Sequence, residues 1–141
     1  MFDGLGKLPG QYHIKLKTDV RPVQHAPRKV PVHLKPQLQE HLQQLEQKGV
    51  IARVTEPSEW ISSIMVGQKL NKLIVCLDPK DLHQALERAR YLISTVEEVM
   101  PQLAKSKVFS KLDAKDSFCQ VMLDEDSRYN TTFWTLFGQY R

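Results

Sequence analysis

FSKLDAKDSFCQVMLDED, residues 109–126, is the stretch from which the rest of the chain is best read. KVFSKLD (107–113) predicts an apolar strand that stops at Asp113, followed by the small residue Ala114 and then by Asp116, Ser117 and the aromatic Phe118. CQVML (119–123) and YNTTFWT (129–135) predict two more strands with an acidic turn, DEDS, between them. An Asp at the exposed end of a buried strand is well placed to hold Mg²⁺, because the strand fixes the carboxylate while the loop admits substrate. The same residues also fit an Asp that ends a strand and caps the next turn, and the local pattern alone favours that plainer reading.

Working outward, residues 1–10 contain three Gly and one Pro and read as a tail. QYHIKLK (11–17) alternates, with Tyr12, Ile14 and Leu16 on one face of a short strand. RPVQHAPRKVPVHLKP (21–36) carries four prolines, which remove donors and forbid helix, so extended chain is expected there. Pro36 can open a helix in its first turn. Leu38, Leu42 and Leu45 then form one apolar stripe, bordered by His41, and Gly49 ends the helix.

VIARV (50–54), WISSIMV (60–66) and KLIVCLD (72–78) read as strands, the last two joined by GQKLN as a hairpin. A short helix is expected from Asp78-Pro79 to about Arg90. Thr95 and Glu98 form a capping box for another helix, with Val96, Val99 and Leu103 facing inward. Pro101 predicts a kink or early end there. The chain therefore reads as α+β, with about three helices against a mixed or antiparallel sheet and an extended Pro-rich N-terminal arm.

The 141 residues correspond to about one domain. Hydrophobic residues at 41% and charged residues at 26% exclude a fibrous or wholly disordered chain. No apolar run approaches the length of a membrane span, and the N-terminus lacks the pattern of a secretory signal. An intracellular location, cytoplasmic or nuclear, is expected. Cys76 and Cys119 are expected to be reduced and buried as small hydrophobes.

The net charge of +4 is uneven: residues 1–54 hold nine Lys and Arg against four Asp and Glu, and residues 55–141 hold eleven against twelve. Residues 7–35 carry seven bases and one acid, Asp19. Such an arm can attract a polyanion such as nucleic acid, or can simply be a solvated segment.

FSKLDA with the aromatic Phe118 resembles motif A of the reverse transcriptases of gypsy-type long-terminal-repeat retrotransposons. GLGKLPGQYHIKL, RPVQHAPRKVPVHLKPQLQEHLQQLEQKGVI, SEW, VCLDPKDL, TVEEV, LDEDS and TTFWTLFGQYR follow in that family's order and spacing, over essentially residues 2–141. The resemblance implies part of a right-hand polymerase fold within a Pol polyprotein: a basic connector over 1–35, then fingers and the N-terminal palm over 36–141. The ending FGQYR then reads as a cut through a larger domain, whose remaining palm, thumb and RNase H segments would be partners.

The resemblance also implies roles. Asp113 would be a catalytic, metal-binding carboxylate, with the Ala114 carbonyl as a further ligand to Mg²⁺. Asp116 and Ser117 would lie along the triphosphate of a dNTP, and Phe118 would sit under its sugar. Lys69 and Lys72, on the fingers hairpin, would approach the phosphates. Gln120, Arg28, Lys29 and Lys35 would support an RNA template or RNA–DNA hybrid. The reaction implied for the parent enzyme is nucleotidyl transfer by two Mg²⁺ ions about 4 Å apart.

The sequence departs from the family in places that matter chemically. It contains no Asp-Asp pair, so the family's Tyr-x-Asp-Asp motif is missing. In the hairpin, Leu70-Asn71 stands where the family has a turn glycine, and Ile74 replaces an arginine that would grip phosphate. Ser117 replaces a glycine. These changes point to a reverse transcriptase fragment inactive by itself, with a non-catalytic nucleic-acid-binding relic or a decayed open reading frame as the alternatives.

Overall fold

A computed structural model of the protein describes residues 4–70, 72–88, 91–104, 106–114 and 116–141. The elements, in chain order, are β1 (Gln11–Tyr12), α1 (Lys35–Gln47), β2 (Ser62–Lys69), β3 (Lys72–Asp78), α2 (Lys80–Ala85), α3 (Val96–Leu103), β4 (Met122–Leu123), α4 (Glu125–Asn130), β5 (Phe133–Thr135) and β6 (Gly138–Tyr140). Short 3₁₀ turns cover Val32–Leu34 and Ser117–Gln120. The α+β expectation holds, with four helices and a mixed sheet.

The main sheet has the order β3-β2-β5-β6. β2 and β3 pair antiparallel from Ser63↔Asp78 to Lys69↔Lys72, β5 joins β2 in parallel, and β6 returns antiparallel. VIARV adds to the far edge. The Ala52 N–H donates to the Arg141 carbonyl at 2.8 Å and the Arg141 N–H donates back at 2.9 Å. Val54 donates to the Gln139 carbonyl at 3.0 Å.

Alternation explains which face is inside. On β2 the side chain of Ile64 is buried and Val66 packs beside it, while Met65 faces out. On β3, Leu73 and Val75 pack inward, and Ile74 and Cys76 alternate with them on the other face. Helix α1 lays its predicted stripe on this face: Leu38 and Leu42 are buried against Val30, Leu34, Ile64 and Tyr140. Tyr140 stacks on Phe133 with ring centroids 5.8 Å apart. A second cluster of Trp60, Leu82 and Ala85 packs under Leu16, Val20 and Val23, so the Pro-rich arm covers apolar surface.

Several expectations are corrected. Residues 107–113 form no strand, and they pair with no strand among the described residues. A lone extended segment has no ladder to satisfy its backbone groups, so apolar content alone does not make it a strand. The 119–123 segment begins in the end of a 3₁₀ turn, Ser117–Gln120, and only Met122–Leu123 of it is strand, β4. DEDS opens helix α4 because Asp124 caps it, accepting the Ser127 N–H at 3.0 Å. That leaves only Phe133–Thr135 of the 129–135 stretch as strand.

Helix α2 ends at Ala85, and Arg90, its expected end, lies outside the described residues. The Thr95–Glu98 capping box forms as expected, but Pro101 lies inside α3, which continues to Leu103. Val96 and Leu103 are exposed rather than inward. Cys76 and Cys119 are both exposed, which overturns the expectation of buried thiols.

Candidate functional site

Asp113 and Ala114 lie in the irregular stretch 107–114 and are exposed to solvent. Lys115 lies outside the described residues. Asp116 takes a left-handed backbone, φ 52 and ψ 38, a conformation that Asp tolerates better than most residues. It turns the chain into Ser117–Gln120, where the Cys119 N–H donates to the Asp116 carbonyl at 2.9 Å. Phe118, at the crest of this turn, is 93% exposed.

The N-terminal segment crosses just beneath that turn. The Gln120 carbonyl accepts the Leu8 N–H at 2.9 Å. A Cβ on Gly6 would come 3.1 Å from the Gln120 side chain, so glycine permits this close approach. β1 then runs parallel to β4, and the Ile14 N–H donates to the Ser127 hydroxyl at 2.8 Å. His13 Nδ1 meets Asp124 Oδ2 at 2.5 Å. The Ser127 side-chain hydrogen bond, then the His13 hydrogen bond and the Ser127 N–H, lower the Asp124 pKa to about 2.

A groove of about 600 Å³ opens beside this junction. Its walls come from six separated parts of the chain: the arm at Leu5–Lys7, the turn at 48–52, Leu77 on β3, the 118–123 turn, Arg128 and Thr131 of α4 and its exit, and the sheet edge at Phe133 and Arg141. Lys7, Lys48, Arg128 and Arg141 line it, and no Asp or Glu does. Arg128 is held by donating from Nε to the Leu123 carbonyl at 2.9 Å. Arg141 lies 4.3 Å from the Tyr129 ring centroid, and its Nη1 is 3.3 Å from Glu125 Oε1.

Of the residues expected to carry function, Phe118 and Gln120 line this groove, whereas Asp113, Ala114, Asp116 and Ser117 do not. Lys69 and Lys72 are exposed at the far tip of the β2–β3 hairpin. They stand about five strand residues, or ~17 Å, from Leu77 at the groove wall. The intervening turn holds Leu70 with φ 48 and Asn71, which lies outside the described residues. Arg28 is ion-paired with Asp78 at the opposite end of the hairpin from the lysines. Lys29 is exposed and in no ion pair among the described residues, and Lys35 opens α1.

Among the described residues no three His, Cys, Asp or Glu side chains come together as a metal site. A single exposed carboxylate at Asp113 does not fit a two-metal centre by itself. Lys48, Arg128 and Arg141 carry no local motif in the sequence, and nothing in their spacing marks them as neighbours of Lys7. Only the fold brings them to one groove.

No family model matches the sequence. Over 131 residues, 89% of the chain, it is 31% identical to an uncharacterised protein of Caenorhabditis elegans, covering 10% of that protein. Over 111 residues, 72% of the chain, it is 29% identical to the retrovirus-related Pol polyprotein from transposon 412 of Drosophila melanogaster, covering 9% of it. A putative enzymatic polyprotein of Cassava vein mosaic virus is 26% identical over 75% of the chain and is covered over 17% of its length. The chain thus spans less than a fifth of these relatives.

Among solved structures, the protease–reverse transcriptase of prototype foamy virus, as the CSH mutant, matches 97% of the chain with a TM-score of 0.75 at 17% identity, over 18% of its own length. The foamy viral protease–reverse transcriptase dRH in complex with double-stranded DNA matches 97% of the chain at a TM-score of 0.73 and 21% identity, over 23% of its length.

Proposed function

This chain is related to the Pol polyproteins of retrotransposons and retroviruses, and from that relationship we propose that it represents the fingers and early palm of a gypsy-type reverse transcriptase, holding nucleic acid but not catalysing alone. The observation that carries the reading is the shared fold: 97% of the chain matches part of a protease–reverse transcriptase structure. We propose a division at residue 35, with the basic Pro-rich arm as connector and 36–141 as polymerase body.

In the intact parent, bound Mg²⁺ would activate the primer 3′-oxygen and stabilise the leaving pyrophosphate. The proposed roles in this chain are positional. Asp113 and the Ala114 carbonyl offer oxygen ligands, the backbone amides of Asp116 and Ser117 face the dNTP phosphates, and Phe118 limits space below the sugar. Lys69 and Lys72 supply charge to the phosphates from the hairpin tip. Gln120, Arg28, Lys29 and Lys35 support the template, primer or RNA–DNA hybrid. Catalysis by this chain alone is not expected, because the sequence has no adjacent Asp pair to complete the metal set and has Ile74 where a phosphate-gripping donor belongs.

Two measurements on the full chain test the proposal. Fluorescence anisotropy should show weak binding to an RNA–DNA hybrid that declines steeply with salt. Primer extension on an RNA template with Mg²⁺ should yield nothing. Extension that is abolished by Asp113→Asn would overturn the non-catalytic part, and salt-independent or absent binding would overturn the rest.

A further inference from the structure

Of the proposed hybrid contacts only Gln120 reaches the basic groove beside Phe118, and the groove's four cations are unassigned. Resting on the nucleic-acid-binding reading above, we propose that this groove holds a single strand of nucleic acid, its phosphates against Lys7, Lys48, Arg128 and Arg141 and one base against Phe118.

Three observations carry this assignment. First, the lining is one-signed: four cations and no carboxylate face the same space. Asp124 is engaged with His13 and Ser127, while Glu125, outside the lining, pairs with Arg141 and offsets part of its charge, so Lys7, Lys48 and Arg128 carry most of the field. Clustered cations with no acid in the lining attract a polyanion and are strengthened by the low-dielectric walls around them. Second, the aromatic ring of Phe118 borders the groove while 93% exposed, so its face is available for stacking rather than used in the core. A basic track with an exposed aromatic is the combination that binds single strands without reading sequence. Third, the groove measures about 600 Å³ and its walls come from separate segments of the chain. That is the scale of a pocket for a small molecule, room enough for a nucleotide of one strand.

The side chains differ in their freedom. Arg128 and Arg141 are fixed by the Leu123 carbonyl, the Tyr129 ring and Glu125, so they form a preset floor. Lys7 and Lys48 are exposed and come from separate segments of the chain, so their side chains are free to reach a phosphate.

The experiment uses the full chain with a fluorescein-labelled oligo(dT) and an RNA–DNA hybrid of the same length. The double variant Lys7→Glu/Lys48→Glu should bind oligo(dT) at least about tenfold more weakly, with the salt slope reduced by about 1.4. Phe118→Ala should weaken oligo(dT) at least about fivefold with the slope unchanged. Both should bind the hybrid within about twofold of the parent, since that contact is assigned to Gln120, Arg28, Lys29 and Lys35, none of which is replaced. All three replaced side chains are exposed, and circular dichroism melts of the variants should match the parent. Unchanged oligo(dT) binding in both variants, with hybrid binding intact, overturns the groove assignment alone. Equal losses for oligo(dT) and hybrid overturn the single-strand specificity. A parent chain that binds neither probe overturns the underlying reading as well.

Discussion

His13 and Asp124, separated by 111 positions, meet at 2.5 Å and clip the N-terminal arm to the first turn of α4. Asp124 simultaneously caps that helix through the Ser127 N–H at 3.0 Å. One carboxylate thus joins the arm to the segment that follows the 117–120 turn, and with it fixes one wall of the groove.

This carboxylate makes stability depend on acidity. Its folded pKa is depressed to about 2, first by the Ser127 side-chain hydrogen bond and then by His13. The unfolded chain, with an ordinary value near about 3.9, binds the proton more readily. The stabilisation is therefore whole above about pH 4 and is lost as the pH falls from there through about 2. Urea midpoints for the parent should drop across that window more steeply than those of Asp124→Asn. Parallel acid limbs for the two proteins would refute the assignment.

Leu70 occupies the hairpin turn with φ 48 and its side chain 93% exposed, so it carries backbone strain with almost no packing in return. A left-handed residue other than Gly costs about 1–2 kcal/mol, and Gly returns part of that through the entropy of the unfolded chain. Leu70→Gly should raise stability by about 0.5–1 kcal/mol, seen as a higher denaturant midpoint at an unchanged slope.

Tyr140 is 2% exposed, stacks on Phe133, and lies with Arg53 5.4 Å from its ring centroid. Tyr140→Ala should cost about 3–5 kcal/mol, the usual range for emptying an aromatic site in a core. Leu112, although equally apolar, is 93% exposed, and Leu112→Ser should change stability by less than about 0.5 kcal/mol. Thermal denaturation of the two variants side by side separates them.

Arg28 and Lys29 are adjacent but not equivalent. Arg28 is ion-paired with Asp78, whereas Lys29 is exposed and in no ion pair among the described residues. If the arm contacts an RNA–DNA hybrid, Lys29→Ala should lower the salt slope by about 0.9 for the phosphate contact it removes. Arg28→Ala should lower it less, because that charge is already partly neutralised. Affinity and slope both unchanged after Arg28, Lys29 and Lys35 are replaced together would refute this placement of the hybrid.

The sequence alone determined the elements whose cause is local. The Leu38 and Leu42 stripe, the β2–β3 hairpin and the Thr95–Glu98 capping box were all readable, because helix periodicity, strand alternation and reciprocal capping are set within a few residues. The tertiary structure decided what depends on a distant partner. Residues 107–113 have the composition of a strand but pair with no strand among the described residues, and Asp124, a local cap through Ser127, gains its tie to the arm only where the fold brings His13 to it. The groove is the extreme case: positions 7, 48, 128 and 141 converge only because Ala52 pairs with Arg141 and Leu8 donates to Gln120. Side-chain periodicity reports a face of one element, whereas a site built from six segments exists only after long-range hydrogen bonds close it.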